Sequence, residues 1–255
     1  MRRRGGGELE LYKALGIVRG DIVAFVGAGG KSSAILQVAN ELKKAWVPVL
    51  IAPTTKMFVN EVESIGPTLA SEDRNGLRSE VAEILGNEGA VVVGSSMLSK
   101  QRLGGIEPSW LPSLAPEDGV TLVEADGARR RPLKGTKAHE PLLPKGVTLV
   151  VSVGGIRALG KPVNEEQVHR PEVFSELTGV GSAHTINAEA FARALLAGLR
   201  NASGGVRRAV LLADVEPGQS MSDASMVARE LWRRDVRRIV LSSLPKETPG
   251  RVWTL

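Results

Sequence analysis

The 255-residue sequence is 42% hydrophobic and 24% charged, which is typical of an ordinary soluble protein and excludes a chain that is disordered throughout. It has no cysteine, which excludes disulfides, thiol nucleophiles and cysteine-bound zinc or iron–sulfur sites, and no apolar run approaches the roughly 18 residues of a membrane helix. The net charge of +5 permits nucleic acid, nucleotides or other phosphorylated ligands, but with only 4% aromatic residues the chain lacks stacking platforms for bases, so nucleic acid is not expected.

The first seven residues are basic and rich in glycine, and we expect them to be flexible. Polar and charged residues follow them, rather than the apolar segment of a secretory signal. We therefore expect a cytoplasmic protein, in agreement with the lack of any disulfide. Three histidines are too few to favour a His-rich metal site.

Seven solid apolar runs predict β-strands, and segments with apolar residues at helical spacing lie between several of them. The predicted strands cover residues 21–26, 48–52, 90–94, 119–125, 147–153, 206–213 and 238–242. The predicted helices cover residues 8–15, 32–45, 75–85, 171–178, 188–199 and 222–234. Solid apolar runs indicate strands buried on both faces, and alternation with helices indicates a parallel sheet between helical layers. We therefore predict a three-layer α/β fold with a mostly parallel sheet, formed by a single domain over residues 1–255.

A glycine-rich turn joins the first of these strands to the helix over 32–45. Glycines let the backbone curl with its N–H groups turned inward, and the helix N-terminus adds partial positive charge. Lys31 can reach the terminal phosphates of a nucleotide, and Ser32 can bind Mg²⁺. The predicted nucleotide-binding loop consists of Gly27, Ala28, Gly29, Gly30, Lys31, Ser32 and Ser33.

The spacing of this loop departs from the usual G-x-x-x-x-G-K-[ST] pattern, whose first glycine would fall on Phe25. The loop is a shorter form, G-x-x-G-K-S, which resembles the phosphate-binding loop of Mur ligases. One alternative is a dinucleotide-binding turn, which Gly27 and Gly29 fit but Ser32 does not. The other alternative is a strand–helix turn with a purely structural role.

Polar residues also follow the second predicted strand, where they would lie at the same sheet edge as the glycine loop. Thr54 or Thr55 could bind Mg²⁺ or contact the terminal phosphate, and Lys56 could provide a further anion contact. The alternative is a capped loop, since threonine is common in turns.

Two acids end the fourth predicted strand, and acids at the end of an apolar strand are costly unless they meet a cation. We predict that Glu124 or Asp126 binds Mg²⁺ and that the other orients a nucleophile or accepts its proton. Their alternative role is that of an ordinary strand cap. Of the basic residues that follow, Arg129 lies nearest the strand and is the predicted clamp on a transferred group. The predicted catalytic residues are thus Lys31, Asp126 and Arg129, and the predicted metal ligands are Ser32, Thr55, Glu124 and Asp126.

Six short segments occur together in a recognisable order along the chain. They are Gly27-Ala-Gly-Gly-Lys-Ser, Thr54-Thr-Lys-Met, Val123-Glu-Ala-Asp-Gly-Ala-Arg, Arg131-Pro-Leu-Lys, His139-Glu-Pro and Val168-His-Arg-Pro-Glu. The set resembles the YqeC family, accessory proteins of selenium-dependent molybdenum hydroxylases, over about residues 15 to 245. The resemblance implies a P-loop NTPase-like fold. It also implies a role in making or inserting a selenium-containing cofactor, with a molybdenum hydroxylase or its cofactor as the client.

The resemblance also suggests where a second substrate binds. The segments around His139 and His169 belong to the shared pattern, and either histidine could act as an acid–base group. The predicted second-substrate residues are Lys134, His139, Glu140, His169 and Arg170. The alternative is that these segments only anchor loops by hydrogen bonds.

The segment after the sixth predicted strand bears on whether the nucleotide is ATP or GTP. GTPases of this broad class carry N-K-x-D there, whereas this chain reads Ala213-Asp-Val-Glu216, so ATP is favoured over GTP. The first functional hypothesis is an Mg²⁺-dependent enzyme with phosphoryl-transfer, NTPase or ligase-type chemistry. The second is a nucleotide-gated insertion chaperone with little turnover. The third is a nucleotidyltransferase of molybdenum cofactor maturation, which Lys31 and Ser32 disfavour because those enzymes carry an arginine in their loop.

Overall fold

One ten-stranded sheet runs through the computed structural model, which describes residues 8–59, 62, 64–202, 204–244 and 249–254. Residues 1–7, predicted to be flexible, lie outside the described residues. The strands of this sheet and of two small sheets are β1 (Glu8–Leu9), β2 (Ile22–Gly27), β3 (Val49–Ile51), β4 (Met57–Phe58), β5 (Thr68–Ala70), β6 (Ala90–Gly94), β7 (Met97–Ser99), β8 (Arg102–Leu103), β9 (Val120–Glu124), β10 (Leu133–Lys134), β11 (Leu149–Gly155), β12 (Val168–His169), β13 (Arg207–Ala213), β14 (Ile239–Leu241) and β15 (Gly250–Val252). The helices are α1 (Leu11–Leu15), α2 (Lys31–Lys44), α3 (Arg74–Glu88), α4 (Leu111–Leu114), α5 (Pro171–Thr178), α6 (Ala188–Gly198) and α7 (Gln219–Arg233).

The large sheet has the order β1-β15-β14-β13-β11-β2-β9-β3-β6-β5. Its eight strands from β14 to β5 run parallel, and β15 is antiparallel to both of its neighbours. All seven predicted strands are in this parallel part, which confirms the predicted mostly parallel α/β sheet. The prediction of a helix over 8–15 is wrong at its start, because residues 8 and 9 pair with β15 as an edge strand.

Helices cover both faces of the sheet and give three layers. Alternate side chains of β2 point to opposite faces: Phe25 packs in the cluster that contains α1 and α2, whereas Val26 packs in the cluster that contains α6 and α7. Every residue of β2 and of β11 is buried, as expected for central parallel strands. None of the helices in the described ranges is both long and apolar enough to span a membrane.

Because the central strands are parallel, their carboxyl ends meet at one edge of the sheet. The segments that follow β2, β3, β9, β11 and β13 therefore converge there. Backbone hydrogen bonds connect these segments: Thr54 N–H donates to the Glu124 carbonyl, and Gly155 N–H donates to the Pro132 carbonyl. This edge brings the glycine loop and the predicted acids together.

The core on the α6 side of the sheet gives a first testable prediction. Phe191 on α6 is completely buried, and its truncation in Phe191→Ala should lower the free energy of unfolding by about 3–5 kcal/mol because it leaves a cavity. Trp46, with 89% of its surface exposed, provides a matched aromatic control, and Trp46→Ala should change stability by less than about 0.5 kcal/mol. Urea unfolding followed by circular dichroism measures both, and equal losses would contradict this assignment of the core.

Candidate functional site

The glycine loop after β2 is held in a conformation that only glycine adopts readily. Gly27, Gly29 and Gly30 have φ angles of 87°, 73° and 130°. A Cβ atom on Gly29 would lie 2.5 Å from the amide nitrogen of Gly155 and 2.5 Å from the carbonyl oxygen of Pro132. The glycines are therefore explained by backbone conformation and by the close approach of two neighbouring segments.

The first amides of the loop are used inside the protein. Gly27 N–H donates to Asp126 Oδ2 at 3.0 Å, and Ala28 N–H donates to the Val153 carbonyl at 3.0 Å. The amides that open α2 are different, because the first turn of a helix has no intrahelical acceptors. Together with the helix dipole, those amides provide the anion-binding end of the loop. Gly27 and Ala28 thus shape the loop, whereas residues 29–33 line a cavity.

Lys31 is the first residue of α2, and its side chain folds back over the loop. Its Nζ atom donates to the Gly27 carbonyl at 2.7 Å and lies 3.2 Å from Asp126 Oδ1 and 3.8 Å from Glu124 Oε1. Only 5% of the side chain is exposed. The lysine is therefore held at the loop by two carboxylates rather than extended into solvent.

Oxygen atoms suitable for Mg²⁺ lie next to Lys31. Ser32 Oγ donates to Glu124 Oε2 at 3.1 Å, and both residues line the cavity together with Thr55. The hydroxyl of Thr54 instead bonds the Glu124 backbone carbonyl at 3.3 Å. Within the described residues, no group of three or more acids, histidines or cysteines could hold a metal by itself. The donors present thus fit a Mg²⁺ ion that takes its other ligands from phosphates and water.

The cavity beside the glycine loop, called the loop cavity below, has a volume of about 670 Å³. It is lined by Gly29, Gly30, Lys31, Ser32, Ser33, Thr55, Lys56, Met57, Phe58, Arg102, Glu124, Gly127, Ala128, Arg129, Arg130, Arg157 and Asp214. The structure thus brings residues that follow β2, β3 and β9 to one cavity, at the sheet edge expected from the parallel strands.

Sequence reasoning assigned no role to several residues of the loop cavity, among them Phe58, Arg102, Arg157 and Asp214. The Phe58 ring lies 5.1 Å from the guanidinium of Arg102 and 4.9 Å from that of Arg130. Phe58 is on β4, which pairs with β8 in a small three-stranded sheet, and nothing in the spacing of the sequence indicated that sheet.

Asp214 is the one missed residue with a usable signal, since it directly follows β13. Its backbone is left-handed, with φ 60°, and its Oδ2 atom lies 3.6 Å from Nε of Arg157. Burial raises the pKa of the Asp214 carboxyl, and the charge of Arg157 opposes this effect. Asp214 is part of the segment after β13, where this chain lacks the N-K-x-D pattern of GTPases.

A second cavity of about 630 Å³ lies next to the loop cavity and shares Thr55, Gly127 and Arg129 with it. The other residues of this second cavity are Ala125, Asp126, Arg131, Lys134, His139, Glu140, Pro141, Leu142, Glu165, Val168, His169, Arg170, Pro171 and Glu172. It contains all five predicted second-substrate residues. Their position around one cavity is observed, and their role stays a prediction.

The second cavity is built by a two-stranded sheet outside the main one. β10 pairs in parallel with β12, and the register places Lys134 opposite His169. Arg170 then adopts a left-handed φ of 63° and precedes Pro171, which begins α5. The pairing brings together residues that are 35 positions apart in the sequence.

Alternating charges connect the two cavities in what is called the ion-pair chain below. Asp126 lies between Lys31, at 3.2 Å, and Lys134, at 2.7 Å. Glu140 lies between Lys134, at 3.5 Å, and Arg170, at 2.6 Å. Lys31, Asp126 and Lys134 are buried, so the three charges depend on one another for compensation. This geometry gives Asp126 the role of holding two lysines and a loop amide.

The charges of the second cavity shift the pKa values of two of its residues. Burial favours the neutral form of Glu140, but the hydrogen bond from Arg170 and the charge of Lys134 outweigh it and lower its pKa from 4.5 to about 2. Burial lowers the pKa of His169 from 6.5 to about 4, with contributions from Arg170, Lys134 and Arg129 that Glu140 opposes. Around neutral pH, Glu140 is therefore ionised and the His169 imidazole is neutral.

The ion-pair chain predicts a large effect of Asp126 on stability. Asp126→Asn leaves the buried Lys31 and Lys134 ammonium groups without their shared partner, and the free energy of unfolding should fall by about 3 kcal/mol. Asp118→Asn, at an exposed position, is the control and should be close to neutral. Urea unfolding at neutral pH measures the difference. An unchanged free energy of unfolding in Asp126→Asn would show that the ion-pair chain contributes no stability.

Glu140 should also make folding sensitive to acid. Because its carboxyl has the lower pKa when folded, the unfolded state binds the proton more readily, and stability should fall as the pH drops from 4.5 to about 2. Between pH 5 and pH 3, the Glu140 carboxyl should lower the free energy of unfolding of the wild type by about 1 kcal/mol, after allowance for solvent screening. Glu140→Gln should lack this contribution. Glu176→Gln, exposed on α5, should keep the wild-type profile. Parallel profiles for wild type and Glu140→Gln would refute the shift.

Comparison with known proteins identifies the family of this chain. The family model for YqeC protein matches residues 23–172, a segment that contains the glycine loop and the whole ion-pair chain. The uncharacterized protein YqeC of Escherichia coli (strain K12) is 30% identical over 231 residues, which cover 89% of this chain and 88% of the relative. The structure of chloroplast FtsY from Physcomitrella patens has a TM-score of 0.41 and 14% identity, and the match covers 94% of this chain but only 64% of that one. The family match and the relative confirm the resemblance inferred from the motifs, and the chain belongs to the YqeC family.

Proposed function

We propose that this protein binds a nucleoside triphosphate with Mg²⁺ in the loop cavity and uses it for phosphoryl transfer or ligase-type activation. The observation that carries the proposal is the arrangement of Lys31, Ser32 and Glu124 at the start of α2, beside a glycine loop whose conformation excludes other residues. Its biological setting is the maturation of the cofactor of a selenium-dependent molybdenum hydroxylase, with that enzyme or its cofactor as the client. The family resemblance supports this setting, and the location that we propose for the protein is the cytoplasm.

Different residues of the loop cavity have different roles in the proposed phosphoryl transfer. Ser32 and Glu124, with Thr55 beside them, would hold Mg²⁺, which supplies neutralisation of charge on the phosphates when bound. Lys31 exchanges the Gly27 carbonyl for oxygens of the terminal phosphates and stabilises the charge that develops there. Arg129, which lines both cavities, clamps the group in transfer.

Asp126 serves this reaction by positioning Lys31. Its Oδ2 atom already accepts from Gly27 N–H and from Lys134, and its Oδ1 atom faces Lys31. With both oxygens directed at protein cations and an amide, the carboxylate is better placed to orient the lysine than to take a proton from a nucleophile. This refines the catalytic role predicted from the sequence.

A nucleotide-gated insertion chaperone is the second candidate function. The ion-pair chain favours it, because a nucleotide that engages Lys31 acts on a residue bound to the same carboxylate as Lys134 in the second cavity. Nucleotide occupancy would then alter the second cavity without rapid turnover. Hydrolysis that is slow alone and faster with a client hydroxylase distinguishes this candidate from a free-standing enzyme.

Titration with fluorescent ATP and GTP analogues, with and without Mg²⁺, tests the proposed function. The wild type should bind in an Mg²⁺-dependent manner, and the ATP analogue should bind more tightly because the chain lacks the N-K-x-D segment. Lys31→Ala should weaken binding about 10- to 100-fold, since a charged hydrogen bond is worth about 1.5–3 kcal/mol. Lys44→Ala, at the exposed far end of the same helix, should bind like the wild type.

The opposite results are equally informative for this site. If the folded wild type binds neither analogue, or if Lys31→Ala and Lys44→Ala bind equally well, the loop does not hold a nucleotide. Circular dichroism of each variant separates a loss of binding from a loss of folding.

A further inference from the structure

The charges that line the second cavity are unevenly compensated. Asp126 and Glu140 are already taken up by the lysines and the arginine of the ion-pair chain. Arg129 and Arg131 also line the cavity, and their guanidinium groups form no ion pair within the part of the chain that the structure describes. Among the described residues, neither guanidinium is occupied by a carboxylate, so both can bind an anion in the cavity.

Two further acids, Glu165 and Glu172, complete the charged lining. Both are exposed, as is Arg129, so water and salt screen these three charges more strongly than those of the half-buried Arg131 and the buried Lys134. Around His169 the balance is positive, because Arg170, Lys134 and Arg129 act on its ring against Glu140 alone. The cations near His169 thus make this part of the cavity positive.

We propose that the second cavity binds the oxyanion group, phosphate or carboxylate, of a small cosubstrate between Arg129, Arg131 and His169. Guanidinium groups suit this ligand because they pair with both oxygens of a carboxylate or phosphate. The neutral imidazole adds one N–H donor. The volume of about 630 Å³ leaves room for a molecule larger than the oxyanion itself.

The position of Arg129 relates this oxyanion to the nucleotide, and this part rests on the proposed function. Arg129 lines both cavities, as do Thr55 and Gly127, so the two cavities adjoin at these residues. Two anions side by side repel, and a shared arginine reduces that repulsion. The backbone of Arg129 and Arg130 is left-handed, with φ 47° and 58°, which turns the loop after β9 between the cavities.

The histidine rings provide a direct readout for the test. Of the three histidines, His139 and His169 line the second cavity, and His184 lies outside it as an internal reference. Inorganic phosphate and malonate, which represent the two oxyanion types, are titrated separately at constant ionic strength. The full chain is first saturated with Mg²⁺ and β,γ-imido-ATP, and the ring signals are followed by NMR.

Saturable shifts at His169, with none at His184, are the expected result. The pKa of His169 should rise from about 4 by about one unit, because a bound anion favours the imidazolium. Arg131→Gln should weaken the probe about tenfold, the loss expected for one charged contact. Arg229→Gln, exposed on α7, should leave the titration unchanged. A response to one probe alone identifies the cosubstrate as a phosphate or as a carboxylate.

Shifts that do not saturate, or that Arg131→Gln leaves intact, overturn the proposal. If β,γ-imido-ATP itself does not bind, the proposed function fails, and the oxyanion site is then judged separately. In that case the same titration uses Lys31→Ala, in which the glycine loop has lost its lysine. A saturable shift at His169 there supports the second cavity as an oxyanion site, and its absence refutes it.

Discussion

The carboxylate of Asp126 is the constraint on which both cavities depend. It accepts from the Gly27 amide and lies against Lys31 and Lys134, and all of these groups are buried or nearly so. Charges removed from water are stable only when each has its partner, so the three side chains form one electrostatic unit. The glycine loop and the β10–β12 pair are in this way joined through one carboxylate, in addition to the close backbone approach of Gly29 to Pro132.

The fold supplies the remaining geometry through the direction of its strands. Parallel pairing of β2 with β9, and of β9 with β3, brings three polar segments to one sheet edge. The conformations of Gly27, Gly29 and Gly30 then turn the backbone sharply into α2. The helix start, the acids and the hydroxyls meet because the apolar strands beneath them are fixed by the core.

The sequence predicted the parallel strands and the glycine loop because both have strong local signals. Solid apolar runs correspond to strands buried on two faces, whereas β1, β5 and β15 have two or three residues each and lack such a run. The five residues predicted to bind a second substrate were singled out through the family pattern, since no local rule connects Lys134 with His169. Phe58 and Arg102 were missed because their contact depends on the small sheet that contains β4 and β8.

The alternation of signs along the ion-pair chain has a consequence for how this protein can evolve. Loss of Asp126 leaves the buried Lys31 and Lys134 without the carboxylate that they share, so a change at Asp126 alone is costly to stability. Neutral exchanges must therefore occur as matched pairs, such as an acid lost together with an adjacent lysine. Substitutions in the glycine loop and substitutions around the second cavity are therefore coupled. A change at one of the two sites limits which changes are compatible with stability at the other.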